Sequence, residues 1–461
     1  MVIQRTISPV DGSVYVERNQ ADAPVVEATL ERAVVAQRKW REVSIDERAR
    51  FCSRMVDAII ARRDELAEEL TWQMGRPIAV AGGEMGGFEA RARAMIALAE
   101  EALAPLRLAD RSGFTRYITR EPLGVSFIVA PWNFPFMTAV NAIVPAIMAG
   151  NTVILKHSAQ TPLCAERLQQ AFDEAGLPSG VFQYLHLSHE ATEALIRDSR
   201  IDHVSFTGSV AGGAMVERNA AGRFIATGLE LGGKDPAYIR ADVDIDAAIE
   251  GVMDGVFFNS GQSCCAIERL YVHRDIFDAF VERVVAWVKH LRLGNPTDPE
   301  TTLGPLVRPA AADFVRGQIE DAVKAGARAW IDPGNYPLST PGSAYLAPQL
   351  LTDVDHSMRV MTEESFGPVV GIMPVVDDDQ AIELMNDSEF GLTAAVFTRD
   401  MAVGEAIARR LEAGTVFTNR CDYLDPELAW TGIKCSGHGC SLSRLGYETL
   451  TRPKSFHLKH A

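Results

Sequence analysis

Apolar residues recur at helical spacing through residues 24–105 and then give way to short extended runs. Ser44-x-x-Glu47 is a capping box that opens a helix. Phe51, Met55 and Ile59 follow at intervals of four, which puts them on one buried stripe. The period changes near residue 113. Phe114-Thr115-Arg116-Tyr117-Ile118-Thr119-Arg120 alternates as a half-exposed strand does, and residues 125–129 form the continuous apolar run of a buried strand. A short strand at 153–155, a helix at 162–175 and a strand at 204–207 running into a helix come next. Such alternation predicts parallel strands joined by crossover helices. The second half repeats the style, with helices at 245–256 and 276–291 around a strand at 269–272. Residues 296–305 and 333–348 carry the turn residues of surface loops. Residues 455–458 are extended again and able to pair with another strand. Repeats and low-complexity segments are absent.

A chain of 461 residues exceeds one core and implies two or three domains. Its apolar share of 47% is ample for buried layers. The net charge of −16 argues against a nucleic-acid partner, which would need clustered Lys and Arg. The first residues, Met1-Val2-Ile3-Gln4-Arg5-Thr6, lack the apolar core of a signal peptide. No uncharged apolar run reaches the ~18 residues of a membrane span. A soluble, cytoplasmic chain with no membrane partner is the expectation. The seven cysteines are scattered and odd in number, unlike a secreted disulfide framework. Cys435, His438 and Cys440 fall short of the four-ligand spacing of a zinc site, so no metal is expected.

Chemistry concentrates in a few turns. Cys264 ends Asn259-Ser260-Gly261-Gln262-Ser263-Cys264, a small polar segment that can present sulfur to a cleft; a thiolate there would be a strong nucleophile. A buried structural thiol is the alternative. Asn133 lies in Pro131-Trp132-Asn133-Phe134-Pro135, stiffened by two prolines. Its amide is a donor that does not titrate and suits an oxyanion; the alternative is a cap for a helix beginning near Phe136. Glu230 precedes Leu231-Gly232-Gly233-Lys234, where glycines permit close backbone approach. It is a general base or an ordinary surface glutamate. Ser205-Phe206-Thr207-Gly208-Ser209 ends a strand and opens a helix, whose N-terminal amides attract phosphate. A plain strand-to-helix turn is the alternative. Ala81-x-Gly83-x-x-Gly86 mimics a dinucleotide fingerprint but has no strand before it, so it fails the context test.

These segments, with Glu363-Glu364-Ser365-Phe366-Gly367-Pro368 downstream, resemble in order the aldehyde dehydrogenase superfamily, from the first helices to the last twenty residues. The resemblance implies an α/β fold in three parts. They are a Rossmann-type cofactor domain (1–107 and 122–232), an α/β catalytic domain (233–432) and a small β oligomerisation arm (108–121 and 447–461). It implies Cys264 as nucleophile, Glu230 as base, and Asn133 with the Cys264 N–H as oxyanion donors, while Cys265 reads as a bystander. The cofactor is NAD or NADP. Lys156, Ser158, Ala159, Gly208, Ser209, Glu364 and Phe366 would hold it, with Trp132 and Leu231 from the neighbouring motifs. Relatives that prefer NAD usually carry Glu where this chain has Ala159, so NADP is equally open. Ser158 and His157 are candidates for a 2′-phosphate. Thr138, Asn141 and Trp430 would line the substrate entry, and Arg420 is a carboxylate anchor or a surface ion pair. The implied reaction is oxidation of a small aldehyde to an acid through a cysteine thioester, in a homodimer or homotetramer. Glu230 argues against transfer of the acyl group to coenzyme A. A semialdehyde dehydrogenase and a catalytically silent binding relative are the alternatives.

Overall fold

A computed structural model describes residues 2–460. Helices Ala23–Trp40, Ile45–Ile60, Arg63–Met74, Ile78–Ala81 and Gly83–Leu103 fill the stretch with helical periodicity. Ser44 caps the second, accepting the Glu47 N–H at 3.3 Å. Met55 and Ile59 are buried on that helix, and Phe51 packs half-buried beside them. The false fingerprint falls as the helical context requires: Gly83 and Gly86 lie within Gly83–Leu103.

Two parallel sheets form the body. The first runs, across the sheet, Gly437–His438, Ala226–Glu230, His203–Thr207, Val125–Ala130, Thr152–His157 and Phe182–Tyr184. All pairs are parallel except that of Gly437–His438 at the edge. The chain steps outward from Val125–Ala130 for two strands, then returns to its other side with His203–Thr207. That reversal opens a crevice beyond the carboxyl ends of these two strands, the place where open α/β sheets take ligands. The second sheet has the order Arg328–Ala329, Gln349–Thr352, Val369–Val375, Ile267–His273, Asp235–Ile239, Thr393–Phe397 and Thr415–Thr418. Only its Arg328–Ala329 edge is antiparallel. Most of these strands are short apolar runs that periodicity alone does not assign. The architecture is the expected α/β type, with a Rossmann-type sheet and a second α/β layer.

A third sheet joins Thr451–Lys459, Phe114–Pro122 and Leu106–Arg107, all antiparallel. The expected alternation of exposure is absent, since every residue of Phe114–Pro122 is half-buried. Tyr117 stacks on Phe456 (4.5 Å) and Phe114 on His457 (5.0 Å). These rings stand on opposite faces and shield both. An unforeseen hairpin, Ile3–Ile7 with Val14–Asn19, precedes the first helix. Its pattern is inverted: Gln4 and Thr6 are buried while Ile3, Ile7 and Val14 are exposed. Among the described residues no helix is long and apolar enough to cross a membrane.

Candidate active site

Cys264 owes its position to a strained turn. After helix Ile245–Phe257, the residues Asn259 (φ 52°), Ser260 (φ 58°) and Gly261 (φ 73°) are all left-handed. A Cβ on Gly261 would lie 2.3 Å from the Gly367 carbonyl oxygen, so only glycine fits. Asn259 Nδ2 donates to the Gln262 carbonyl at 3.1 Å, and Gln262 Nε2 donates back to the Asn259 carbonyl at 3.1 Å. Gln262 Oε1 accepts the Val307 N–H at 2.8 Å. The polar residues before the thiol thus build the turn. Cys264 emerges half-buried on a cavity of about 200 Å³ that it shares with Glu230, Thr138, Asn141 and Trp430.

Asn133 lies just beyond strand Val125–Ala130 and is buried. It does not cap helix Pro135–Ala149, which has no side-chain N-cap bond. Its Nδ2 instead donates to the Gln262 carbonyl at 3.3 Å, two residues before Cys264. One amide proton is spent there and the second has no acceptor among the described residues. The helix start is satisfied by Glu84, which accepts the Phe136 and Met137 N–H groups at 3.0 Å each. Glu84 pairs with Arg76, both fully buried. Arg76 also donates to the Asn133 carbonyl and, at 3.1 Å, to Asn259 Oδ1. This ion pair fixes Asn133 and the cysteine turn together, and nothing local in the sequence marks it.

Glu230 ends strand Ala226–Glu230. A Cβ on Gly233 would meet the Cys264 carbonyl at 2.5 Å, and one on Gly232 would meet Glu364 Oε2 at 2.3 Å. The two glycines therefore let this segment lie against both Cys264 and Glu364. Thr207 Oγ1 donates to Glu230 Oε2 at 3.1 Å, and Ser441 Oγ donates to Oε1. Burial raises the Glu230 carboxyl above its ordinary value, against the pull of Ser441, Thr207 and Arg91. The carboxylate also borders a second, narrower cavity with Ser205, Thr207 and Ser441. Cys265 is buried, and its Sγ donates to Asp422 Oδ1 at 2.9 Å. The neighbouring Cys264 thiol and burial hold Cys265 well above the usual thiol range. Burial likewise pushes Asp422 to about 7.

The other candidates lie at the carboxyl ends of strands of the first sheet. Lys156 is half-buried, and its ammonium has no hydrogen-bond or ion-pair partner among the described residues; burial lowers its pKa. Ser158 Oγ accepts the Gln160 N–H at 3.2 Å, and exposed Ala159 brings no carboxylate. His157 is buried, with Nε2 3.1 Å from the Pro135 carbonyl and Nδ1 3.1 Å from Thr161 Oγ1. Burial drops it to about 4, so it is neutral and committed, and Ser158 alone stays available to a phosphate. Gly208 and Ser209 precede helix Val210–Ala220, which Ser209 caps through the Gly212 N–H at 3.2 Å. Leu231 is buried behind them.

Glu364 accepts the Gly233 N–H at 3.2 Å, and burial pushes it up to about 8. Its turn is held by Glu268, which accepts the Ser365 and Phe366 N–H groups at 2.8 and 2.9 Å and pairs with Lys234. Phe366 packs edge-on against Trp132 at 5.6 Å. An unpartnered lysine, a carboxyl with one bond and a capped helix start suit ribose hydroxyls and phosphates. Arg420 is exposed and stacks over Tyr423 at 3.3 Å, so neither reading of it holds: it makes no ion pair among the described residues and does not line the cavity.

A thiol and a carboxylate raised by burial line one cavity, next to a turn with a spare amide donor, and such a set of groups can do acyl chemistry on sulfur. Set beside a crevice of dinucleotide type, it defines the class of thiol-dependent dehydrogenases. The chain belongs to the aldehyde dehydrogenase family, whose model matches residues 3–456. It is 38% identical over 455 residues, 98% of both chains, to succinate-semialdehyde dehydrogenase [NADP(+)] 1 of Mycobacterium tuberculosis (strain ATCC 25618 / H37Rv). Among solved structures it resembles succinic semialdehyde dehydrogenase from Streptococcus pyogenes in complex with NADP+ (TM-score 0.94, 30% identity, 99% of this chain and 100% of that one). An aldehyde dehydrogenase from Brucella melitensis biovar abortus 2308 is equally similar (TM-score 0.95, 30% identity, 100% and 94% covered).

Proposed function

We propose that this enzyme oxidises an aldehyde bearing a distal carboxylate, of the succinate-semialdehyde class, to the free acid with NADP as preferred acceptor. The observation that carries the reading is Cys264 and Glu230 on one cavity, with Gly233 packed against the Cys264 carbonyl. The names of the relatives supply the substrate class and the cofactor. Ala159 adds support for NADP, since no carboxylate stands there to repel a 2′-phosphate.

Cys264 adds as thiolate to the aldehyde carbon, and the spare Asn133 proton and the Cys264 N–H hold the oxyanion. A bound nicotinamide supplies the acceptor for the hydride that leaves the adduct carbon. Lys156, Ser158, Gly208, Ser209, Glu364 and Phe366 would hold that cofactor, with Trp132 and Leu231 walling the crevice. Glu230 then takes a proton from water, which attacks the thioester on Cys264 and releases the acid. We assign 1–107 and 122–232 to cofactor binding, 233–432 to catalysis, and 108–121 with 447–461 to association into a homodimer or homotetramer.

Absorbance of the reduced nicotinamide, with succinate semialdehyde and each cofactor, tests this. Higher kcat/KM with NADP than with NAD is expected. Cys264→Ala is expected to abolish turnover yet still bind cofactor. Glu230→Gln is expected to give a one-equivalent burst and then turnover slowed by about 10²–10⁴-fold. Turnover by Cys264→Ala equal to wild type would refute the assignment.

A further inference from the structure

We propose that Arg91, with Asn141 lining the same cavity, seats the carboxylate of the aldehyde substrate. The inference rests on the aldehyde-oxidising reading and adds the residues that choose among aldehydes. Arg91 sits on helix Gly83–Leu103, is only 9% exposed and lines the Cys264 cavity. Its Nη1 donates to the Met137 carbonyl at 3.0 Å. A guanidinium has five N–H donors, and the others on Arg91 find no protein partner among the described residues. No carboxylate lies within ion-pair distance of it there either. Other buried arginines are provided for. Arg76 has Glu84, Arg48 donates to the carbonyls of Met148, Trp40 and Arg41, and Arg269 donates to Lys234, Leu384 and Met385.

Asn141 lies on helix Pro135–Ala149, lines the same cavity and is 2% exposed. Both its Nδ2 and its Oδ1 are buried without a hydrogen-bond partner. Buried polar groups normally find partners. Here a guanidinium without an ion-pair partner among the described residues and an amide without a hydrogen bond both line the cavity that holds Cys264. A carboxylate satisfies both, accepting from the guanidinium and from the amide N–H.

Among the described residues the cavity has two acids, Glu230 and Asp422, and Arg91 is the only cation lining it. Asp422 is occupied: Ser263 Oγ donates to its Oδ1 at 3.2 Å, and Cys265 to the same oxygen. Glu230 is occupied by Thr207 and Ser441. Neither acid spends its oxygens on Arg91. Were Arg91 only a charge offset for these acids, its loss would affect every aldehyde alike.

The experiment compares succinate semialdehyde with butanal, which has the same chain length and no carboxylate. The wild-type enzyme should favour the acid aldehyde in kcat/KM. Arg91→Gln should lower that preference by about 30-fold, the size of a lost charge-assisted bond, with most of the change in KM. Arg91→Lys should recover part of it, and Asn141→Ala should lower it by a smaller factor. Succinate, which lacks the aldehyde, should raise the melting temperature of the wild type but not of Arg91→Gln. Equal loss for both aldehydes, or no preference in the wild type, overturns the proposal. Should Arg91→Gln not fold, Asn141→Ala and Arg91→Lys decide the matter through the same comparison of the two aldehydes. Absence of all aldehyde oxidation by the wild type would sink the proposed function instead, and the succinate shift would still decide the seat.

Discussion

In the proposed role of base, Glu230 must lose a proton inside protein. Burial resists that loss, while the Thr207 and Ser441 hydroxyls favour the charged form by donating to it. Ser441 is held firmly for this task, since its backbone exchanges two bonds with Trp430, at 2.8 and 2.9 Å. The sign follows directly. In the proposed mechanism thioester hydrolysis needs the carboxylate, so its rate should climb as pH rises through the Glu230 pKa. Ser441→Ala removes a donor that lowers this pKa, so the climb should move to higher pH. Deacylation should slow at neutral pH and recover in alkali. Single-turnover hydrolysis of the acyl-enzyme across pH measures it. A midpoint that stays put, or moves to lower pH, would rule out Ser441 as the residue that tunes the base.

At the scale of elements, one buried ion pair clamps two of the turns that build the site. Arg76 and Glu84 join the start of helix Pro135–Ala149, the Asn133 carbonyl and the Asn259 side chain. Removing one partner leaves a buried charge alone, at a cost of about 3–5 kcal/mol. Arg76→Met should therefore lower stability to urea by that order and reduce kcat more than it raises KM, because Asn133 loses its anchor. Arg76→Met with Glu84→Leu should regain part of the stability. Unchanged urea midpoints in both would dismiss the clamp.

The same pair marks where reading the sequence stops. Cys264, Glu230 and Asn133 stand out in the sequence because each lies in or beside a run of consecutive glycines, prolines or amides. Arg76 reaches Asn259 across 183 positions, and Ser441 reaches Glu230 across 211. No local pattern encodes such contacts. The first hairpin escaped notice for another reason: Thr6 turns inward to donate to the Ala159 carbonyl at 2.8 Å, while its apolar neighbours point outward. His157 reads as a phosphate ligand beside Lys156 until burial removes it, and Arg420 reads as an anchor until Tyr423 takes its face.

At the scale of the whole molecule, the antiparallel arm invites a partner. Thr451–Lys459 is a nine-residue strand at the edge of its sheet, paired only with Phe114–Pro122. Its open side offers unpaired N–H and C=O groups, which stable proteins cover or blunt. Leu106 is 61% exposed and Leu458 48%, an apolar cost for a solitary chain. Association through this arm, as proposed, would remove both problems. Light scattering should thus give a mass that is a multiple of 50.3 kDa, at two or four copies. The arm also reaches the chemistry through the chain. Thr451 follows the segment that brings Ser441 to Glu230, and Asn151 Nδ2 fastens the joint by donating to the Leu450 carbonyl at 2.9 Å. Deleting residues 452–461 should then yield smaller particles, a lower melting temperature and slower deacylation together. A particle of unchanged mass after the deletion would show that the copies meet elsewhere, and unchanged deacylation would cut the link between the arm and the base.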